Sequence, residues 1–336
     1  MIVSAELSNK VSDISFDLQL LGSSHQGSNR LAANCWPDDL LRRKNDWSID
    51  LAATHPTLLV QAAQCIDSGS HWTEYLRLAQ VVNLEALRTR LTKMLFHEYG
   101  VAVLRLPGQF SDDTLRLLVL LVGQALGTNV SPSVGSESRP LFAVTATDDP
   151  TIGGRYGGNG RNSKLLALHT DGSGIHQHQV DVLGMLCLQA AQEGGASRIA
   201  DARRAWLLLS RKTRDLLCLP LPRTDPYAPG LPIGSLITRP IFEQGTSRNC
   251  NTLSFSYHPS RLRDGIGLLH WGAIERRQIE NALSQLDDAL ERSSIEVLLN
   301  RGEILILNNS LIAHGRTAFK DDPTRPRLLE RLWVEV

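Results

Sequence analysis

The sequence predicts a mainly β protein with helical decoration, built on a jelly-roll core. Two observations lead to this fold class. Short apolar segments of strand length, separated by glycine, proline and asparagine, fill most of the chain beyond residue 140, and this pattern is typical of a jelly roll or a related barrel. The chain has 336 residues, of which 42% are hydrophobic. This is enough to bury a large core without disulfide bonds or a structural metal.

Before residue 140 the pattern is mostly helical. Leucines recur at helical spacing between Asn83, which can cap a helix, and Gly100, which can end it. A short strand, Val101–Leu106, follows, and Ser111 then caps a second amphipathic helix that ends at Gly127. These elements predict a helix, a strand and a helix at the start of the folded domain.

The rest of the domain is predicted to be β, with one further helix around residues 279–290. Residues 1–80 are polar and lack a firm periodicity, so we expect an arm or cover there. We expect residues 81–336 to form a single jelly-roll domain with helical insertions. The strand candidates beyond residue 140 are Leu141–Thr145, Leu165–His169, Asp181–Gln189, Arg239–Glu243, Leu253–Tyr257, Ile295–Leu299, Glu303–Leu307 and Arg327–Val336.

Composition excludes several classes of function. Lys and Arg together number 35, as do Asp and Glu, so the basic surface that nucleic-acid binding requires is not expected. The longest strongly apolar run, Leu117–Val122, is far shorter than the roughly 20 residues of a membrane helix. The five cysteines are far apart and form no CxxC pair, which favours reduced thiols. We therefore expect a cytoplasmic protein that binds a small molecule. The protein could also form an oligomer.

Three residues are candidate metal ligands. His169 and Asp171 lie at the end of an apolar strand, and residues i and i+2 of a strand point to the same face. His314, which follows another apolar strand and an Asn-Asn turn, could supply a third ligand. Two histidines and one carboxylate can form a facial triad on Fe(II), which leaves positions open for a bidentate co-substrate and O₂.

A candidate anion site lies near the C-terminus. Arg327, Arg331 and Trp333 would share one face of the last strand. A guanidinium that points into a barrel suits the distal carboxylate of a keto acid, because it can donate two parallel hydrogen bonds.

Four motifs in this order resemble the taurine dioxygenase and clavaminate synthase-like superfamily of Fe(II)- and 2-oxoglutarate-dependent oxygenases. The resemblance covers roughly residues 95–336, and it includes an entry strand at Gly100–Leu106. It implies a double-stranded β-helix, which is the cupin-like form of the jelly roll. The motifs are His169-Thr170-Asp171, Gly194-Gly195-Ala196-Ser197, HGRTAF after Ala313 and RLLERLW after Pro326.

The resemblance implies a role for each matching residue. The metal ligands would be His169, Asp171 and His314, and the 2-oxoglutarate carboxylate would be bound by Ser197 and Arg327. The family's spacing from His314 also admits Arg325 in place of Arg327, but Arg325 precedes Pro326 and is expected in a loop. Arg331 falls where several members bind an acidic group of the prime substrate, although a structural ion pair with Glu330 or Glu335 is the alternative. Two further residues, His176 and Arg161, are candidates for substrate contact, with a structural role or a solvated loop as the alternative.

The implied reaction consumes 2-oxoglutarate and O₂ at Fe(II) and releases succinate and CO₂. We expect it to hydroxylate an unactivated C–H bond of a free amino acid or a small amino-acid-derived natural product. The alternatives are a catabolic oxygenase for a sulfonate or another small organic acid, and a desaturase or epoxidase on the same scaffold. A zinc-dependent lyase or hydrolase and a non-catalytic barrel are the rival classes.

Overall fold

We describe the fold from a computed structural model of the chain. The structure describes residues 35–66, 83–130, 140–146, 162–173, 180–225, 235–244, 253–269 and 272–336. Statements about the fold and its contacts refer to these ranges. Two of the predicted substrate residues, His176 and Arg161, lie outside them.

The largest sheet has seven strands, most of them antiparallel. Its centre is β6 (Val182–Gln189), which pairs with β14 (Glu303–Asn308) on one side and with the last strand, β17 (Leu328–Glu335), on the other. Beyond β14 lies β2 (Val101–Arg105), and the order continues outward to β1 (Ser48–Asp50). On the other side, β17 pairs with both β3 (Thr128–Val130) and β4 (Leu141–Val144).

A second sheet has four strands in the order β13-β8-β15-β5. These strands are β13 (Ser294–Val297), β8 (Ser197–Asp201), β15 (Ile312–Arg316) and β5 (Leu166–His169). All of its pairings are antiparallel. The described residues also form three two-stranded sheets, whose strands are β7 (Glu193–Gly194), β9 (Leu221–Asp225), β10 (Ser235–Arg239), β11 (Phe242–Gln244), β12 (Leu253–Phe255) and β16 (Phe319–Lys320).

The predicted helices are present. Asn83 accepts a hydrogen bond from the Glu85 backbone at 3.0 Å at the start of α3 (Glu85–Thr92), which continues as a π-helical turn through His97. Ser111 caps α4 (Asp112–Leu126) by accepting from the Thr114 backbone at 3.2 Å. The third predicted helix is α8 (Ala273–Arg292), and the remaining helices are α1 (Leu51–Thr54), α2 (Pro56–Ile66), α5 (Ala202–Leu208), α6 (Arg211–Leu217) and α7 (Pro259–Leu268).

The segment 35–66 is more ordered than its sequence indicated. It contains β1, which runs parallel to β2, and two helices. Trp36, Leu40 and Trp47 are buried in the same hydrophobic cluster as α4 and the seven-stranded sheet. Sequence analysis did not predict these elements, because short stretches of mixed polar and apolar residues show no clear hydrophobic periodicity. The division of the chain at residue 80 remains a prediction.

The prediction of a single strand at Arg239–Glu243 is wrong. The structure has two strands there, β10 and β11, which pair with different partners, β9 and β12. Pro240 lies between them, and proline has no N–H to continue a ladder. Within the described ranges, no helix is long and apolar enough to span a membrane.

Candidate metal centre

Two histidines meet because their strands are paired. His314 of β15 and His169 of β5 are direct cross-strand partners, and residues directly opposite each other in an antiparallel pair have adjacent side chains. Their ring centroids lie 4.3 Å apart. Gly315 permits this approach, since a Cβ there would lie 2.5 Å from the carbonyl oxygen of Leu166. The close approach of the two strands therefore requires a glycine at this position of the His-Gly-Arg motif.

Asp171 completes the cluster from the turn after β5. Its Oδ1 lies 3.5 Å from Nε2 of His169 and 3.6 Å from Nε2 of His314. One nitrogen or oxygen atom from each of the three residues lies within 4.8 Å of the others, an arrangement that could hold a metal ion. The structure thus brings together the three residues that the sequence proposed as ligands.

A backbone contact fixes the orientation of the His169 ring. Nδ1 of His169 lies 2.9 Å from the carbonyl oxygen of Ala167, and because a carbonyl only accepts, Nδ1 carries the proton. Nε2, the ring nitrogen that faces Oδ1 of Asp171, would then be the atom that binds a metal ion. Burial and the neighbouring His169 lower the pKa of His314.

Asp171 is held at both its backbone and its carboxylate. The Asn309 side chain accepts from the Asp171 backbone N–H at 3.0 Å and donates to the Asp171 carbonyl at 2.9 Å. The outer oxygen, Oδ2, accepts from Nε1 of Trp333 at 2.8 Å and from Nη1 of Arg331 at 3.2 Å. Burial alone would raise the pKa of Asp171, but the Arg331 charge and the two imidazoles hold it well below its usual range.

Sequence analysis did not identify three residues that lie beside the metal cluster. Asn309 was predicted only as part of a turn, and Trp333 only as a member of the last strand's face. His258 lies with its ring centroid 5.1 Å from that of His169, and burial followed by the His169 charge holds its pKa well below the usual range. The sequence did indicate that Trp333 lies on the same face of the last strand as Arg331. Residue spacing could not show that both residues contact Asp171.

Ser197 and Arg327 line one narrow cavity, so both could contact the same ligand. The cavity has a volume of about 10 Å³, which is room for roughly one water-sized group such as the end of a carboxylate. Gly195 forms part of its wall with a φ of +71°, and a Cβ there would lie 3.3 Å from Nε of Arg327. The Gly-Gly-Ala-Ser motif therefore allows the chain to approach Arg327 closely.

The side chain of Arg327 is buried, and one nitrogen of its guanidinium group makes no hydrogen bond to the described residues. It is 4% exposed, and its Nη1 has no hydrogen-bond partner within the described residues. Its guanidinium lies over the ring of Phe319, 5.2 Å from the centroid, and Arg316 lies over the same ring at 4.6 Å. Burial lowers the pKa of Arg327. A buried guanidinium with an unused N–H favours binding of an anion in this cavity.

Two other arginines have different positions. Arg325 is exposed and donates to the Gln189 side chain at 3.1 Å, and Arg327 is the arginine that lines the cavity. Arg331 is partly buried and pairs with Asp171, while the neighbouring Glu330 pairs with Arg116 at 2.9 Å. Among the described residues Arg331 forms its salt bridge with Asp171, and none with either alternative partner, Glu330 or Glu335. Whether Arg331 binds substrate remains a prediction.

Comparison with known proteins identifies the class. The sequence pattern of the taurine catabolism dioxygenase TauD, TfdA family matches residues 68–333. Uridine-5'-phosphate dioxygenase of a Streptomyces species is 27% identical over 198 residues, which are 55% of this chain and 69% of that protein. L-asparagine oxygenase of Streptomyces coelicolor is 30% identical over 175 residues, which are 51% of this chain and 48% of that protein.

The fold is also that of a solved oxygenase structure. The crystal structure of asparagine oxygenase with Fe(II), 3-hydroxyasparagine and succinate superposes with a TM-score of 0.64. Its sequence identity is 21%, and the match covers 86% of this chain and 93% of that one. This fold with a His-Asp-His cluster defines a non-haem iron oxygenase that uses 2-oxoglutarate. Because the family pattern covers most of the sequence, the chain belongs to the taurine catabolism dioxygenase TauD, TfdA family.

Proposed function

We propose that the chain folds around a double-stranded β-helix, in which two paired strands carry the iron ligands His169 and His314 and the turn after β5 carries the third, Asp171. The seven-stranded and four-stranded sheets support this assignment. The observation that carries the proposal is the convergence of two imidazole Nε2 atoms on Oδ1 of one buried carboxylate. Iron bound there would activate O₂ with 2-oxoglutarate as the source of two electrons.

The chain's own residues would bind 2-oxoglutarate at its distal end. Nη1 of Arg327, buried and without a partner among the described residues, is an N–H donor suited to a carboxylate. The Ser197 hydroxyl lines the same cavity and can donate a second hydrogen bond. Together they would orient the co-substrate so that its other end points to the metal cluster.

We further propose that the prime substrate is a free amino acid or a small derivative of one, which the chain hydroxylates at an unactivated C–H bond. The similarity to L-asparagine oxygenase supports this substrate class. Arg331 supports it as well, because Nη1 contacts Asp171 while Nε has no partner within the described part of the chain. The unused N–H could bind the carboxylate of an amino acid. We also propose that the enzyme is cytoplasmic.

A substrate screen tests this proposal. Purified protein with Fe(II), 2-oxoglutarate and O₂ would be incubated with single amino acids, and succinate and hydroxylated product would be measured by mass spectrometry. We expect one or a few amino acids to stimulate succinate release with matching product. Arms with nucleoside monophosphates and with small sulfonates separate the alternative substrate classes. Full turnover without 2-oxoglutarate or after complete chelation of iron would overturn the assignment.

A further inference from the structure

The two oxygens of Asp171 have different surroundings. Oδ1 lies 3.5 and 3.6 Å from Nε2 of the two histidines. Oδ2 accepts two hydrogen bonds, from the Trp333 indole at 2.8 Å and from Arg331 at 3.2 Å. One side of the carboxylate is therefore open to the cluster, while N–H donors of the chain occupy the other side.

Both donors come from a well-fixed strand. Arg331 and Trp333 are two residues apart in β17, so they point to the same face, and they pair with Met185 and Leu183 of the central strand β6. Trp333 is 7% exposed. The Arg331 guanidinium packs over the Trp333 ring at 5.0 Å and over Phe142 at 5.0 Å. Neighbouring rings thus restrict the direction in which Arg331 can donate.

The two donors differ in what else they can bind. Arg331 has several N–H groups and can serve Asp171 and an acidic ligand together. The indole of Trp333 has a single N–H, and this one bond uses it fully. Trp333 is therefore the donor that is dedicated to Asp171 whatever else is bound in the site.

We propose that Trp333 is a positioning residue for the metal centre, which holds Oδ2 so that Asp171 binds the metal through Oδ1 alone. The proposal rests on the proposed metal site. A carboxylate with both oxygens free can rotate or bind a metal with both, and the second mode would occupy a coordination position that the co-substrate needs. Hydrogen bonds to the outer oxygen of a ligand typically contribute 10- to 100-fold to metal affinity.

The test is Trp333→Phe, which removes the N–H and keeps a large aromatic ring. Co(II) binding to the full chain would be titrated and followed by visible absorption, with and without 2-oxoglutarate. We expect Co(II) affinity to fall roughly 10- to 100-fold and the absorption bands to change, because a rotated Asp171 alters the coordination of the ion.

The matched control is Trp47→Phe. Trp47 is also buried, and its indole donates to the Leu40 carbonyl at 3.1 Å, which is a bond that does not involve the cluster. We expect Trp47→Phe to lower thermal stability as Trp333→Phe does, while Co(II) affinity and the absorption spectrum stay as in the wild type. A structural role for Trp333 would make the two variants behave alike in metal binding and would overturn the proposal.

A second pair of variants covers the case in which Trp333→Phe does not fold. Arg331→Met removes the other donor to Oδ2, whereas Arg116→Met removes an arginine that pairs with Glu330 and Asp113 instead. We expect only Arg331→Met to weaken Co(II) binding and change the spectrum. Equal effects of this pair would contradict the role of the outer oxygen. Failure of the wild type to bind Co(II) or Fe(II) would instead overturn the metal site itself.

Discussion

The metal cluster and the Arg327 cavity balance their buried charges in different ways. The negative charge of Asp171 meets Arg331, Trp333 and two imidazoles, all supplied by the chain. Within the described ranges the Arg327 guanidinium forms no salt bridge, although the charge of Asp321 acts on it. Asp321 accepts from the Arg327 backbone N–H at 2.9 Å, while Nη1 of the guanidinium has no partner within the described ranges.

This difference separates a preorganised site from one that awaits its ligand. A buried polar group without a partner costs free energy, and a buried charge costs more. At Asp171 part of that cost is avoided before any metal binds, because Oδ2 accepts hydrogen bonds from Trp333 and Arg331. At Arg327 the missing hydrogen bonds can come from a bound carboxylate. We therefore expect substitutions at the two regions to have opposite effects on the ligand-free protein.

The largest effect is expected from Asp171→Gly. The change removes the anionic group toward which both histidines point, so hydroxylation should fall to the detection limit. The outer donors, Trp333 and Arg331, would lose their acceptor, and we expect the free energy of unfolding to drop by about 1–3 kcal/mol. Product formation and urea unfolding measure the two effects. Hydroxylation near the wild-type rate would show that Asp171 is not a ligand.

Arg327→Met should act in the opposite sense on the ligand-free protein. Removing a buried, incompletely paired charge should leave the stability without ligand unchanged or higher. Binding of 2-oxoglutarate should weaken by about 2–5 kcal/mol, because a buried charged pair is lost. The apparent KM for 2-oxoglutarate and thermal shifts with and without it measure both effects.

The control for this prediction is Arg325→Met. Arg325 lies two residues away but is exposed, so its loss should leave the KM for 2-oxoglutarate unchanged. If Arg325→Met weakened 2-oxoglutarate binding and Arg327→Met did not, the roles of the two arginines would have to be exchanged.

A smaller effect is expected from Asn309→Ala. The Asn309 side-chain amide accepts a hydrogen bond from the backbone N–H of Asp171. It donates to the carbonyl of Asp171 and to that of Val180, the latter at 2.8 Å. Its loss should cost about 1–3 kcal/mol of unfolding free energy and should weaken Co(II) binding, since Asp171 would no longer be fixed. Asn308→Ala is the control, because Asn308 donates to Leu95 instead. Equal loss of Co(II) affinity in both variants would argue against a specific role for Asn309.

The smallest effect is expected from Ser197→Ala. The loss of one hydroxyl beside a charged ligand costs roughly 1 kcal/mol, which corresponds to about a fivefold higher KM for 2-oxoglutarate. Steady-state kinetics with varied 2-oxoglutarate would measure the change. Ser210→Ala serves as the control, since Ser210 caps α6 by accepting from Thr213 at 3.2 Å. That variant should lose stability without a change in KM.

The sequence was sufficient to propose the groups that would bind metal and 2-oxoglutarate, because these groups stand in short motifs. Strand alternation was the reason for placing His169 and Asp171 on one side, but in the structure the strand ends at His169 and the following turn brings Asp171 beside both histidines. The same alternation grouped Arg331 with Trp333. Their common partner is 160 residues away or more, and the pairing of distant strands cannot be obtained from local periodicity.

Several strands also escaped prediction for a physical reason. Strand β8 reads Ser-Arg-Ile-Ala-Asp, which has no alternation of apolar and polar residues, although all five residues are buried. Its charged side chains are accommodated by ion pairs: Arg198 with Glu291, and Asp201 with Arg203. Burial of this kind depends on tertiary partners, so a scale of hydrophobicity along the chain does not detect it.

The parallel pairing of β1 with β2 has a consequence for any shortened form of the protein. The family pattern begins at residue 68, and a truncation at that point would remove β1 together with the Trp47 indole that packs behind it. The backbone of β2 would then become an open sheet edge, a surface that recruits strands from other molecules. We expect such a truncated protein to aggregate during refolding, even though every proposed ligand is still present.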